Sequence, residues 1–338
     1  MDLNAIWFWL VGVLIIGYTV LDGFDLGVGV LHLFTRSHDE RRILLNAIGP
    51  VWDGNEVWLL TGGGALFAAF PAVYATVFSG FYLALMLLLT ALICRAVSLE
   101  FRGKVNTDRW RSFWDIAFGV GSLLPPLLLG VTFGNILRGL PIDQGATYRG
   151  TFFELLNPYA ILVGVLTLVV CTMHGALYLL TKTDGVLRDR LKRWATGSWA
   201  AFVILYLLAT IATMFVSPFL FDGLLRLPAF WILVVLLMCS TLGIPVAVKA
   251  GRYFAGIVSS SLSIASALGL SALSLFPRLV PSSTDLSLSL TAYNASSSEL
   301  TLWTMFIIAL VGMPLVIGYT IFIYWQFKGK VVITEESY

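Results

Sequence analysis

Nine apolar stretches divide the chain, at residues 5–34, 51–70, 72–99, 113–137, 157–181, 195–218, 227–248, 253–276 and 300–327. Each comes near the roughly 20 residues that an α-helix needs to cross a bilayer, so the pattern predicts nine membrane-spanning helices. The narrowest boundary is Pro71, in AAFPAVYATVF. Proline has no backbone N–H and turns its predecessor away from helical angles, which suits a tight turn. A single helix over 51–99 would measure about 70 Å, more than twice the hydrocarbon core.

The connections between these stretches carry an uneven charge. Alternate loops hold 16 Lys and Arg on one side and 4 on the other, with Arg95 inside a span, which accounts for all 21. The asymmetry places the carboxy terminus in the cytoplasm and, with nine crossings, the amino terminus outside. The longest polar connection, Pro281 to Leu300, falls on the outer side; its Asn294-Ala295-Ser296 matches a glycosylation sequon, and an ordinary loop explains it equally well. The expected organisation is one membrane domain: a first four-helix bundle with a polar path (1–137), a second bundle (157–276), an outer loop (277–299) and a ninth, peripheral helix (300–327). Residues 256–274 are rich in small side chains that permit close helix approach.

Composition agrees with this reading. The chain is 58% hydrophobic and 12% charged, about half the charge of a soluble domain. A net charge of +2 without a basic tract excludes nucleic acid as a partner. Cys94, Cys171 and Cys239 lie in separate apolar runs and read as small core residues, giving neither a disulfide framework nor a CxxC site. MDLNAIWFWLVGVLIIGYTV lacks the features of a cleaved signal and reads as the first span.

Against this apolar background the ionisable residues stand out. LDGFDLGVGVLHLF places Asp22 and Asp25 one turn apart on the first span, with Asp25 nine residues from Phe34, roughly 13 Å deep. IGPVWDGNEVW opens the second span with Asp53 and Glu56, ICRAVSLEFR ends the third with Arg95, and WRSFWDIAFG opens the fourth with Asp115. The expectation is that Asp22, Asp25, Asp53, Glu56, Arg95 and Asp115 converge at the cytoplasmic half of one bundle as a proton path. Ionisable groups in a membrane are costly and functional by default. Bland alternatives stay open: Asp53 and Asp115 also suit the first turn of a helix, Arg95 suits a structural ion pair, and Glu56 suits a bond within the bundle. His174, alone in TMHGALYLL, reads as a hydrogen-bonded packing residue. With three histidines and none of the HExxH, GxGxxG, P-loop or Ser-His-Asp patterns, the chain by itself offers no redox centre, metal site or complete active site.

DGFDLGVG, ERRILLNAIGPVWDGNEVWLLTGGGALFAAFPAVYATVFSGFY, RWRSFWD through GSLLPPLLLGVTFGN, and FPRLVPSSTDLSLSLTAYNASSSELTLWTM resemble subunit II of the cytochrome bd-type quinol oxidases. The resemblance extends from about residue 8 to about 327, densest before 135 and at 276–305. It implies an all-α integral membrane protein of nine helices, two four-helix bundles plus one peripheral helix, in a prokaryotic cytoplasmic membrane. It also implies an oxidase that oxidises quinol and reduces dioxygen to water, with chemical protons drawn from the cytoplasm. Two b haems, the d haem and the quinol site belong to subunit I, the partner. Some members hold a quinone in subunit II, and a small single-helix accessory subunit and membrane lipid are further implied partners. The family's proposed proton-path aspartate falls on Asp53, the Asp of DGFD on Asp25, and Arg95 and Asp115 occupy recurrent polar positions. A proton-coupled secondary transporter is the alternative that mid-depth carboxylates suggest, and a purely structural membrane subunit is a third.

Overall fold

The computed structural model describes residues 1–332. Eleven α-helices dominate them: α1 (Leu3–His32), α2 (His38–Ile48), α3 (Trp52–Ala69), α4 (Pro71–Gly80), α5 (Tyr82–Phe101), α6 (Asp108–Arg138), α7 (Pro158–Lys182), α8 (Gly185–Val216), α9 (Pro228–Lys249), α10 (Tyr253–Leu275) and α11 (Glu299–Gln326). Side-chain caps mark several starts. Asp2 accepts from the Ala5 N–H, Ser37 from Glu40, Thr107 from Trp110, Asn157 from Ala160 and Ser298 from Thr301, each satisfying a donor that has no partner in the helix. Prolines 71, 158 and 228 occupy first-turn positions, where a missing N–H costs nothing.

Eight of the helices, α1 and α5 to α11, are long and apolar enough to cross a membrane. The helix α3, expected as the second crossing, has 18 residues, about 27 Å, and its polar opening WDGNE sets it apart from the other eight. The third stretch differs from expectation: it is broken at Phe81 into α4 and α5. A further departure is α2, where no helix was expected. Its polar first turn and buried Leu44, Leu45, Ala47 and Ile48 make it an amphipathic helix lying on the basic end of the bundle.

In the centre, α1 packs against α3, α6 and α7, and α6 against α5 and α7. On the far side of α7, α8 and α10 flank it, and α9 pairs with α10. The last helix, α11, lies outside, touching α1 and α3, with none of its apolar stretch buried. Glycines set the closest approach. A Cβ on Gly27 would come within 1.9 Å of the Cys171 carbonyl oxygen, and one on Gly175 within 2.6 Å of the Gly27 backbone. Hydrophobic clusters fill both ends, one around Trp7, Phe70, Phe81 and Leu140, the other around Phe24, Leu44, Phe118 and Leu179. The connection between α10 and α11 is ordered: strand β1 (Arg278–Val280) pairs antiparallel with β2 (Leu290–Thr291), and the Ser297 N–H donates to the Ala69 carbonyl. Of the cysteines expected in the core only Cys171 is buried; Cys94 and Cys239 are exposed on α5 and α9, since an apolar run bounded by lipid has an outer face as well as an inner one.

Candidate functional site

The close contact of α1 with α7 seals one side of the Asp22–Asp25 turn, and both carboxylates are fully buried. Gly121 lets α6 close on α5, since a Cβ there would lie 2.7 Å from the Ala91 carbonyl oxygen and 2.9 Å from the Arg95 backbone nitrogen, and from α5 the Arg95 side chain reaches Asp22. Its Nη2 donates to Asp22 Oδ1 at 2.8 Å and its Nη1 to Glu56 Oε2 of α3 at 3.4 Å. The guanidinium carbon stands 5.8 Å from the centre of the Trp52 ring. Asp25 is held separately: Asn55 Nδ2 donates to its Oδ2 at 2.6 Å, and the Tyr324 hydroxyl donates to Asn55 Oδ1 at 3.0 Å. Two hydrogen-bonded groups, starting from carboxylates one turn apart on α1, thus tie α1 to α3 and α5 and to α3 and α11.

The structure brings together Asp22, Asp25, Glu56 and Arg95 and places the other two expected residues elsewhere. Asp53 is exposed on the first turn of α3. Asp115 is the centre of a second cluster nearer the basic end. Arg102 Nε donates to its Oδ1 at 2.6 Å, Arg41 Nη1 to its Oδ2 at 2.9 Å, and His32 Nε2 lies 3.2 Å from Oδ1. His32, Arg41, Ser112 and Asp115 line a cleft of about 180 Å³ there. Arg102 also donates to His38 Nδ1 at 3.2 Å; burial and the Arg102 charge hold that imidazole below its usual pKa.

Three carboxyl groups around one guanidinium would carry two uncompensated negative charges if all were ionised, a costly state in a buried site. Asp22 Oδ2, Asp25 Oδ1, Arg95 Nε and the Tyr18 hydroxyl have no hydrogen-bond partner among the described residues, although all are buried. His174, by contrast, is committed on both ring nitrogens: Nε2 donates to the Val20 carbonyl at 2.9 Å and Nδ1 meets Ser260 Oγ at 2.6 Å. No group of three His, Cys, Asp or Glu side chains suited to a metal ion occurs among the described residues.

Fold and site together define a multi-pass membrane subunit with a buried, ionisable cluster between its first helices. The family described as cytochrome bd terminal oxidase subunit II matches residues 3–327. Cytochrome bd-I ubiquinol oxidase subunit 2 of Escherichia coli K12 is 39% identical over 368 aligned residues, covering 99% of this chain and 96% of that protein. Cytochrome bd ubiquinol oxidase subunit 2 of Bacillus subtilis 168 is also 39% identical, with 98% and 97% covered. The bd oxidase structure from Geobacillus thermodenitrificans superposes with a TM-score of 0.81 over 97% of this chain and 99% of that one; at 17% identity it speaks for the fold. The chain belongs to the cytochrome bd terminal oxidase subunit II family. It is a component of an oxidoreductase complex, with a subunit I as partner and haem as the complex's cofactor, in a bacterial inner membrane.

Proposed function

We propose that this chain serves a quinol-oxidising, dioxygen-reducing enzyme as its second subunit, steadying the assembly and passing protons inward from the cytoplasm toward haems held by subunit I. The carrying observation is the set of buried Asp22, Asp25 and Arg95 with half-buried Glu56. Depth and exposure grade along it: Asp53 is exposed at the first turn of α3, the Glu56 side chain is 21% exposed, and Asp22 and Asp25 are closed off. Carboxyl groups bearing buried oxygens without protein partners are suited to exchanging protons through internal water. Asp53 is the mouth in this reading, Glu56 the relay, Arg95 the positioning charge and Asp25 the inner terminus; Asp115, held by two guanidinium groups, anchors α6 beside the path.

The orientation follows the charge bias: basic loops and the carboxy terminus are cytoplasmic, the amino terminus outside, with α3 as the second crossing bringing the eight long apolar helices to nine. The helices α1, α3, α4–α5 and α6 form one group of crossings and α7 to α10 the second, with α11 appended. Two b haems and one d haem lie in subunit I, which also binds quinol; a quinone here and a small accessory helix are extensions of the family pattern.

The test is dioxygen consumption by the purified complex carrying Asp53→Asn or Asp25→Asn. A fall in turnover with the haem spectrum intact supports proton transfer. Haem lost together with activity points to a structural role, and unchanged turnover removes these residues from the path.

A further inference from the structure

A second polar feature lies far from the carboxyl cluster, between the start of α8 and the turn joining α9 to α10. Lys192, Arg193, Thr196, Val248, Lys249 and Tyr253 line a cleft there of about 450 Å³. Three of these are cations and none is a carboxylate. Arg188 stands 5.3 Å from the centre of the Tyr253 ring, but its guanidinium is committed to Asp184 and to the Thr183 carbonyl, so the three lining cations carry the charge of the cleft. Among the described residues, the ion pair made by a lining cation, Lys192 to Asp189 at 3.0 Å, is a surface pair whose aspartate is 73% exposed and competes weakly for the lysine. The carbonyls ending α9, which would repel an anion, are occupied: those of Val246, Ala247 and Val248 accept from Ala250, Arg252 and Gly251.

The cleft also continues an apolar track. Trp231, Val235, Met238, Leu242 and Val246 recur every three or four residues along α9, all exposed, and the same row ends at Lys249. From Trp231 to Lys249 the row is about 27 Å long, the depth of a hydrocarbon core. Trp199 of α8 donates to the Thr241 carbonyl at 2.8 Å, tying the two helices together above the cleft. A ligand fitted to this shape has an anionic, phosphate-bearing head and long apolar chains.

We propose that this cleft is a binding site for an anionic phospholipid, with the phosphate between Arg193, Lys192 and Lys249 and an acyl chain laid along the exposed α9 row. Basic pockets between membrane helices recognise such heads, and removing two cations is expected to cost about tenfold or more in occupancy.

Native mass spectrometry of the complete complex, stripped in mild detergent and titrated with phosphatidylglycerol or phosphatidylcholine, tests this. Phosphatidylglycerol should be retained preferentially; Arg193→Gln with Lys249→Gln should lower its retention about tenfold, and Arg193→Lys with Lys249→Arg should keep it. Ala250→Trp, which fills the cleft and spares every charge, should also lower it and serves if the charge variant fails to assemble. Equal retention of both lipids, or retention indifferent to these substitutions, overturns the proposal. So does inorganic phosphate bound without lipid preference, or a cross-link from Arg193→Cys to a partner protein covering the cleft.

Discussion

Arg95→Met removes the only cation of the buried cluster while filling similar space. Arg95 and Asp22 are both fully buried, so the substitution strands Asp22 without solvent or partner. At an effective dielectric of about 20 the 2.8 Å contact to Asp22 represents roughly 6 kcal/mol of attraction and the 3.4 Å contact to Glu56 roughly 5. Much of this offsets the several kcal/mol needed to desolvate each ion, so the net loss on removing one partner is about 3 to 5 kcal/mol. Glu56, at 21% side-chain exposure, recovers some hydration; Asp22, at 0%, does not, and the loss therefore resides mainly there. Thermal unfolding of the purified complex should shift downward by on the order of 10 °C. Asp22→Leu added to Arg95→Met should recover at least half of that shift, because a matched apolar pair replaces a buried ion pair at little cost. A single variant as stable as the parent, with no gain from the second substitution, would refute the claim that Asp22 depends on Arg95.

Gly175→Ala should prevent α1 and α7 from closing, since the new methyl would meet Gly27 backbone at 2.6 Å. Overpacking against backbone costs about 1 to 3 kcal/mol or more, read as reduced yield of assembled complex in size-exclusion profiles. Glu40 of α2 pairs with Arg190 of α8. Burial raises its pKa, but the Arg36 N–H and Arg190 outweigh this and hold it below the usual 4.5. A depressed folded pKa gives stability that is fully present well above 4.5 and is lost as pH falls from there through the lower folded pKa, so acidification to pH 4 begins the loss and should destabilise the parent more than Glu40→Gln, by up to about 1 kcal/mol. Melting curves of both proteins at pH 7 and pH 4 check this, and parallel behaviour would dismiss the pair.

Depth along the apolar runs was enough to read Asp22, Asp25, Glu56 and Arg95 as one group, because charges buried in lipid must find each other. The same reasoning misassigned the neighbourhood of Asp115: Arg41 and Arg102 looked like loop charges that merely orient the chain, yet they turn inward and claim it. Asn55 and Tyr324 escaped notice entirely. Neither carries a formal charge for a depth argument to single out, and Tyr324 lies 269 residues from its partner. The break at Phe81 had no proline to announce it, unlike the boundary at Pro71. Lys192, Arg193 and Lys249 counted only toward the charge bias, and their common cleft required the packing of α8 against the α9–α10 turn.

The tie between Tyr324 and Asn55 imposes a schedule on synthesis. At about 5 to 20 residues per second, Arg95 follows Asp22 out of the ribosome by roughly 4 to 15 s, whereas Tyr324 follows Asn55 by roughly 13 to 54 s. The first helix therefore emerges with its two carboxyl groups unmatched, Asp25 until Asn55 of α3 follows and Asp22 until Arg95 of α5. The Asp25–Asn55 contact then stays without its outer hydroxyl until the final helix has been inserted, so nascent chains arrested before residue 300 would hold Asp22 against Arg95 but leave Asn55 open to lipid or to an assembly factor.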